Sequence, residues 1–468
     1  MTDYSLTGTS SKLAVERGLA NAEWFAPTID ADRLRDLQAR SNGRAAIDML
    51  LWFGLLIAAG VWAYSTIWSW WSIPAFLVYG ALYGGSADAR WHECGHGTAF
   101  RSSLANDVVY HLASCMLWRG PTVWRWSHYR HHTDTIIVGR DAEIVFPRPS
   151  SVGGALFAYT HLQGGSLMFW RLVRHAFGRL DADAEDFVPE TEYRRVILES
   201  RIIVGVVGGV AIWSLASWSI VPLMFIGLPT IYGAWLVVFF GITQHAGMGE
   251  NVLDHRYSTR SVYMNPIFRF LYLNMNYHVE HHLLPSVPYR SLPALHEEIK
   301  TQLAPAKPST VAAYREIFDA FRRQTADSTW EIQIDVPDVP SATRRRVDVG
   351  ETNWVRHPDG GIDVGASESV TNGELKRVDI DDRTFVVCRL DDGQLTLADG
   401  LCTHAKVHLS GGAIVDGQIE CPKHNGRYDA ATGEPTRKPV QTALCTYDVD
   451  EIAGRIVTHL EVRRETSV

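Results

Sequence analysis

The sequence predicts a multi-domain chain: an all-α integral membrane bundle of four spans with a cytosolic helical cap, followed by a small all-β domain. Three observations predict it. Two long stretches, Met49 to Ala87 and Ile202 to Gly249, contain no Asp, Glu, Lys or Arg. Three groups of histidines recur at helical spacing around those stretches. From about Glu351 the pattern changes to short β-rich runs separated by Asp-Gly and Gly-Arg turns.

A length of 468 residues implies two domains or more, and 46% hydrophobic residues permit a large core. The mean hydropathy of −0.06 averages a first part rich in Trp, Phe and Leu with a polar tail. The net charge of −8 comes with no basic block apart from Arg344, Arg345 and Arg346, which reads as a solvated linker, so a nucleic-acid partner is excluded. Six cysteines without dense, regular spacing exclude a secreted disulfide scaffold and fit a reducing compartment. The first 45 residues have no apolar core followed by a cleavage site, hence no signal peptide is expected.

In chain order, residues 1–45 are expected as a cytosolic segment. Residues 46–305 form the membrane domain, 306–350 a helix and linker, and 351–468 the β domain. Each charge-free stretch is long enough for two membrane-crossing helices, with turns near Ser65 to Trp71 and Ser217 to Pro222. Arg33, Arg35, Arg40 and Arg44 precede the first span, and Arg90 and Arg101 follow the second. The positive-inside rule therefore places both termini and all histidine groups in the cytoplasm. Gly153 to Phe177 reads as an interfacial or re-entrant helix with Arg171 and Arg174 snorkelling, and Asp181 to Glu192 as an acidic loop. Pro288 to Leu303 and Thr310 to Gln324 have helical periodicity, and Ile332 to Val349 reads as linker.

The chemistry concentrates in His92-Glu93-Cys94-Gly95-His96, His128-Tyr129-Arg130-His131-His132 and His278-Val279-Glu280-His281-His282. Residues three and four apart share one helix face, so each group turns its imidazoles in one direction. Eight imidazoles with few carboxylates suit iron, zinc, copper or nickel and argue against calcium or magnesium. His-Glu-x-x-His is also the spelling of zinc peptidases, in which Glu93 would be the general base of an intramembrane zinc hydrolase; that alternative leaves the other two groups without a role.

This three-box series, after the second and fourth spans, resembles the membrane fatty-acid desaturase and hydroxylase superfamily over roughly residues 45 to 300. The resemblance implies a desaturase-like bundle holding two non-haem irons, ligated by His92, His96, His128, His131, His132, His278, His281 and His282. It implies an additional ligand from the last span, His245. Gly241 stands where acyl-CoA desaturases of this superfamily carry an Asn. Glu93, Asp141 and Glu280 are candidates to orient imidazoles, and Asn274 and Asn276 are nearby polar candidates for support around the metals. His111, His161, His175, His255 and His296 are read as structural.

In the tail, Cys402-Thr403-His404 and Cys421-Pro422-Lys423-His424 are separated by sixteen residues, the two-Cys, two-His set of a Rieske [2Fe–2S] cluster, with a zinc site on the same four residues as the alternative. Residues 351 to 464 resemble Rieske ferredoxins. By that resemblance Cys402 and Cys421 hold one iron, and His404 and His424 the other. Val407 and Lys423 occupy the places where respiratory Rieske proteins carry a disulfide, which points to the class that feeds oxygenases. His408 is expected to face solvent, and Cys94, Cys115, Cys388 and Cys445 to be small buried residues.

Together the resemblances imply an O2-dependent oxidoreductase of a bacterial inner membrane that desaturates or hydroxylates an aliphatic C–H bond, of a lipid or fatty-acyl substrate in the first instance. A rhizopine-type oxygenase or O-demethylase acting on a small methylated substrate is the alternative, and a non-catalytic redox carrier a further one. No Gly-x-Gly-x-x-Gly follows a strand, so NAD(P)H is expected to act through a separate ferredoxin reductase.

Overall fold

The computed structural model describes residues 2–341 and 354–462 except Asn21, Glu23, Asp359, Asp382 and Ala405. Arg344, Arg345, Arg346 and the end of the expected linker lie outside the described residues. The chain divides into two units: Met1–Phe25, Ala39–Leu283 and Val287–Val339 form the first, and Ala26–Gln38, Leu284–Ser286 and Pro340–Val468 the second.

The first unit is helical. Its longest element, Asn42–Ser65, starts at Ser41, whose hydroxyl accepts from the amide of Arg44. At 24 residues it is about 36 Å long, enough for a ~30 Å hydrocarbon layer. Ala45, Met49, Trp52, Leu56, Ala59 and Ala63 bury one face, yet Leu50, Ile57 and Val61 on the other remain 70%, 65% and 64% exposed. The helix is thus apolar on both faces, and one face is uncovered. The chain returns through Ser72–Gly80, a π-helical turn Ala81–Ser86 and Ala87–His96 without leaving helical geometry.

The second pair begins with Tyr193–Ala216, but its return limb is three short helices, Val221–Phe225, Pro229–Tyr232 and Trp235–His245. Only Asn42–Ser65 and Glu190–Ala216 are uninterrupted helices long and apolar enough to cross a membrane among the described residues. The break has local causes: Pro222 and Pro229 lack an N–H, and Gly227 has φ +106°. It also serves a close approach, since a Cβ on Gly233 would stand 2.0 Å from the carbonyl oxygen of Gly80.

The expected interfacial segment is two helices, Val152–Ala158 and Leu162–Ala176. Leu172 packs with Trp118, Ile203 and Val207, while Leu162, Leu167, Trp170 and Phe177 are exposed. The expected acidic loop contains a helix, Ala182–Phe187, because the Asp181 carboxylate caps the amide of Ala184 at 3.1 Å. Thr310–Ala326, assigned from sequence to the helix and linker region, packs Ile317 and Phe321 against Ala155, Ile242 and Ala246 inside this unit. The N-terminal segment is also tied down: Tyr4 donates to Glu250 at 2.7 Å, and the Trp24 indole to the carbonyl of Thr133 at 2.9 Å.

The second unit is all-β over its C-terminal part. Strands β1 Val355–Arg356, β2 Ile362–Ala366, β3 Glu374–Ile380, β4 Arg383–Arg389, β5 Leu395–Asp399, β6 Ala413–Val415, β7 Gln418–Glu420, β8 Arg427–Asp429, β9 Pro435–Arg437, β10 Thr446–Ile452 and β11 Arg455–Val462 form two antiparallel sheets. The larger has the order β1-β2-β11-β10-β5-β4-β3, and the smaller β6-β7-β8-β9. The smaller sheet carries the two Cys/His loops. Beneath it Arg427 donates to Glu420 at 2.7 Å, both side chains at most 5% exposed.

Candidate metal centres

Three elements deliver the box histidines. Ala87–His96 sets His92 and His96 one turn apart, and Pro121–Thr133, opened by Pro121 in its first turn, sets His128, His131 and His132. The short helix His278–Leu283 follows a turn in which Leu273 and Asn274 both take left-handed backbone, φ 47° and 54°. His245 comes from the end of Trp235–His245.

These nine side chains form two clusters. His92, His96, His128, His132 and His281 make one, and His131, His245, His278 and His282 the other; within each, one ring nitrogen per residue lies within 4.8 Å of all the rest. Nε2 of His128 lies 2.8, 3.0 and 3.1 Å from Nε2 of His92, His96 and His132. In the second cluster Nε2 of His278 lies 3.1 Å from that of His245 and 3.2 Å from that of His282. The adjacent residues His131 and His132 enter different clusters, as do His281 and His282.

Three of the outward nitrogens meet close acceptors. His128 Nδ1 meets Glu143 at 2.9 Å, His131 Nδ1 meets Asp141 at 2.9 Å, and His245 Nδ1 meets the carbonyl of Ser258 at 2.9 Å. Such contacts fix the tautomer and aim Nε2 inward. Asp141 is thus placed as sequence reasoning suggested, and Glu143 was missed; its spacing, two residues past Asp141, was the available signal. Glu93, Glu280, Asn274 and Asn276 bond elsewhere. Glu93 accepts from Thr98 at 2.6 Å and from the amide of Tyr289. Glu280 accepts from Ser261 at 2.5 Å and pairs with His296, one of the histidines left structural. Asn274 accepts from Arg269 and donates to the carbonyl of Tyr289, and Asn276 donates to the carbonyl of Val262, so both brace the turn before the third box.

The donor set fits metal cations. Both ring nitrogens of His281, and Nδ1 of His132 and His278, are buried without a hydrogen-bond partner among the described residues. Burial, then repulsion among the rings, pushes His92, His128, His132, His278 and His282 well below the ordinary histidine value, leaving the neutral imidazole that ligation needs. Burial also lowers His131, but Asp141 outweighs it and the net shift is upward. Burial raises both Glu93 and Glu143 to about 7.

A cavity of about 800 Å³ reaches the clusters at His92, His128, His131, His245 and His278. Its wall is mostly apolar, including Trp118, Trp124, Phe146, Leu167, Met168 and Leu172, and Gly241 lies on it. Trp124 stacks on His128 with ring centres 4.3 Å apart.

In the second unit Cys402, Cys421 and His424 are buried, and the rings of His404 and His424 are 5.1 Å apart. Contact with Cys402 and burial push the Cys421 thiol well up, so two buried sulfurs face each other beside two imidazoles, a set that fits a [2Fe–2S] group. The Tyr428 hydroxyl lies 3.4 Å from the Cys402 sulfur and accepts from the amide of Thr403 at 2.9 Å. His408 does not face solvent: it is 7% exposed, because its Nε2 meets the hydroxyl of Thr384 on β4 at 2.9 Å and its Nδ1 meets that of Ser410 at 2.8 Å. Cys94 and Cys388 are buried and Cys115 and Cys445 half-buried, all unbridged.

Comparisons with known proteins agree with both halves. The family profile "Fatty acid desaturase" matches residues 68–314, more than half of the chain, and "Rieske [2Fe-2S] domain" matches residues 361–448. The chain is 28% identical over 100 residues to the ferredoxin component of naphthalene 1,2-dioxygenase/salicylate 5-hydroxylase systems from Ralstonia sp, covering 21% of this chain and 95% of that protein. It is 29% identical over 105 residues to cholesterol 7-desaturase from Hemicentrotus pulcherrimus, covering 22% of each. Among solved structures, the ferredoxin complex of carbazole 1,9a-dioxygenase matches at 28% identity, covering 22% of this chain and 97% of that one, with a TM-score of 0.22. Clustered imidazoles inside a desaturase domain imply a di-iron centre, and the ferredoxin-like tail implies a [2Fe–2S] cluster that receives reductase-supplied electrons. The chain belongs to the fatty acid desaturase family, an oxidoreductase carrying a C-terminal Rieske domain.

Proposed function

We propose that this protein is a membrane-bound di-iron enzyme that uses O2, and electrons from its own Rieske domain, to desaturate or hydroxylate an aliphatic C–H bond of a lipid-like amphiphile. The observation that supports the reading is the splitting of neighbours: His131 and His132, and likewise His281 and His282, fall in different imidazole clusters, the division that two adjacent metal positions would need. One iron is assigned to His92, His96, His128, His132 and His281, the other to His131, His245, His278 and His282. The Rieske cluster is assigned to Cys402, His404, Cys421 and His424.

When bound, the two irons supply O2 activation, and the cluster supplies electrons one at a time. The chain's own residues do the rest. Asp141 and Glu143 hold His131 and His128 in the tautomer that presents Nε2. Trp124 stiffens His128 by stacking, and the apolar wall excludes water while it holds the carbon to be oxidised against the imidazole clusters.

Four spans with a cytosolic metal site are part of the reading. The exposed faces of Asn42–Ser65 and Tyr193–Ala216 support it, as do Trp68, Trp70 and Trp71 at one turn and Trp218 at the other, all at least 67% exposed, in the manner of an interfacial aromatic belt. A ferredoxin reductase oxidising NAD(P)H is the proposed partner.

The test is metal analysis combined with turnover. Protein purified with iron is expected to hold about four irons per chain, two of them in the Rieske cluster, with little zinc. His131→Ala should abolish oxidation of extracted lipids in the presence of O2, NADH and a matching reductase while leaving the Rieske spectrum intact. Unchanged turnover, or one zinc in place of two irons, overturns the assignment.

A further inference from the structure

The cavity wall is not uniformly apolar. Beside its indoles and aliphatic groups it carries Asp88, Arg119 and His161, none of which the proposed chemistry uses. Asp88 and Arg119 form an ion pair whose side chains are each 22% exposed. Both belong next to the metal centre. Asp88 lies one helical turn before His92, hence on the same face of Ala87–His96. Arg119 covers the ring of Trp91 at 4.2 Å, Trp91 packs on Trp124 with centres 3.7 Å apart, and Trp124 stacks on His128.

His161 is placed with equal care. It stands just before Leu162–Ala176 in left-handed backbone, φ 52° and ψ 11°, with no side-chain capping bond. The glycines that follow keep its space open: a Cβ on Gly164 would stand 3.3 Å from its Cε1, and one on Gly165 would stand 3.0 Å from its Cδ2. No hydrogen bond occupies its ring nitrogens among the described residues. Burial and the nearby Arg119 push it down to about 4, so at neutral pH it is an uncharged donor and acceptor facing the cavity.

We infer that Asp88, Arg119 and His161 form a subsite for an uncharged oxygen-bearing group of the substrate, a hydroxyl or an ether. The charges decide this. Asp88 and Arg119 neutralise each other, as the wall's Arg171 is paired with Asp181 and its Arg148 with Glu250, and His161 is neutral, so a carboxylate or an ammonium group would enter without a free counter-charge, whereas a hydroxyl or ether oxygen meets both donors and acceptors. The mid-chain methylenes of a fatty acyl group would leave all three facing hydrocarbon. Because Asp88 and His92 are a turn apart, the oxidised C–H lies within a few bonds of that oxygen. The substrate class narrows to amphiphiles or small ethers oxidised next to their polar end. The inference rests on the cavity being the substrate chamber.

The experiment follows carbethoxylation of His161 by diethyl pyrocarbonate, mapped by peptide mass spectrometry on the full-length, iron-loaded protein in detergent. Cyclohexanol, methoxycyclohexane and methylcyclohexane are added at equal mole fraction, and the exposed His459 serves as the internal reference. The alcohol and the ether are expected to slow modification of His161 about tenfold, and the hydrocarbon less than about twofold, as for a site built to pair with oxygen. Equal effects from all three probes overturn the inference, as does a His161 that is unreactive in the free protein. The readout needs neither O2 nor reductase. Protection without turnover of any substrate would therefore leave the subsite standing and sink the oxidase reading, and turnover without selective protection would do the reverse.

Discussion

His128 presents Nδ1 to the carboxylate of Glu143 at 2.9 Å while its Nε2 lies within 3.1 Å of three other box imidazoles. Glu143 also accepts from the Ser127 hydroxyl at 2.8 Å, which fixes the carboxylate itself. The ring is thereby locked from behind. Its Nε2 is aimed at the cluster.

Replacing Glu143 by Ala is expected to weaken iron retention by roughly 10–100-fold, as for other residues that orient a ligating histidine. Iron content after a timed chelator challenge measures it, with the Rieske absorbance as the unchanged reference. Glu143→Gln keeps an acceptor oxygen and should fall between Ala and the parent protein.

Gly241 lies on the cavity wall, and a Cβ built there meets nothing within 4 Å. Gly241→Phe should therefore fold and bind iron normally while filling part of the chamber. Displacing substrate by about 1 Å can cost ~100-fold in rate, so a loss of that order in kcat/KM with unchanged iron content is expected. Unchanged kinetics would place substrate elsewhere.

Tyr428 lies 3.4 Å from the Cys402 sulfur. Hydrogen bonds to cluster sulfurs raise the reduction potential because they favour the more negative, reduced state. If the bond differs by about 1 kcal/mol between redox states, Tyr428→Phe should lower the potential by roughly 40 mV. Protein-film voltammetry of the full chain reads the shift.

Asp181 ties the cavity wall down: it accepts from Arg171 twice at 2.6 Å and from His175 at 2.8 Å, besides capping Ala184. Burial by itself would raise this carboxyl, but the bonds from His175 and Arg171 outweigh it and hold it well below the usual range. A depressed carboxylate stabilises the fold above its unfolded pKa of about 3.9, and that contribution disappears as pH falls below this value toward the lower folded one. Asp181→Asn should thus lose about 1.5–3 kcal/mol at pH 7 and converge on the parent protein in strong acid. Thermal unfolding in detergent between neutral and acid pH reports the difference.

Much of this was legible in the chain because it is written in local periodicity. Three- and four-residue spacing put His92 with His96 and His128 with His131 and His132 on single faces, and uncharged runs marked the apolar helices. Cys402, His404, Cys421 and His424 announced their chemistry by type and interval, and the strand signals after residue 351 needed only alternation and turns. What the sequence by itself determined, then, was which histidines and cysteines share a face or a loop and which elements present them.

Only the tertiary structure decided how the nine histidines divide. Neighbours such as His131 and His132 point about 100° apart on a helix, and which cluster each joins depends on where the third-box helix packs. It also decided that Glu143, rather than Glu93 or Glu280, backs a box imidazole, and that the return limb of the second helical pair breaks where Gly233 meets Gly80. The physical reason is range. Spacing along a helix encodes contacts a turn or so away, whereas hydrogen bonds and backbone approaches between segments far apart in sequence exist only once those segments have packed.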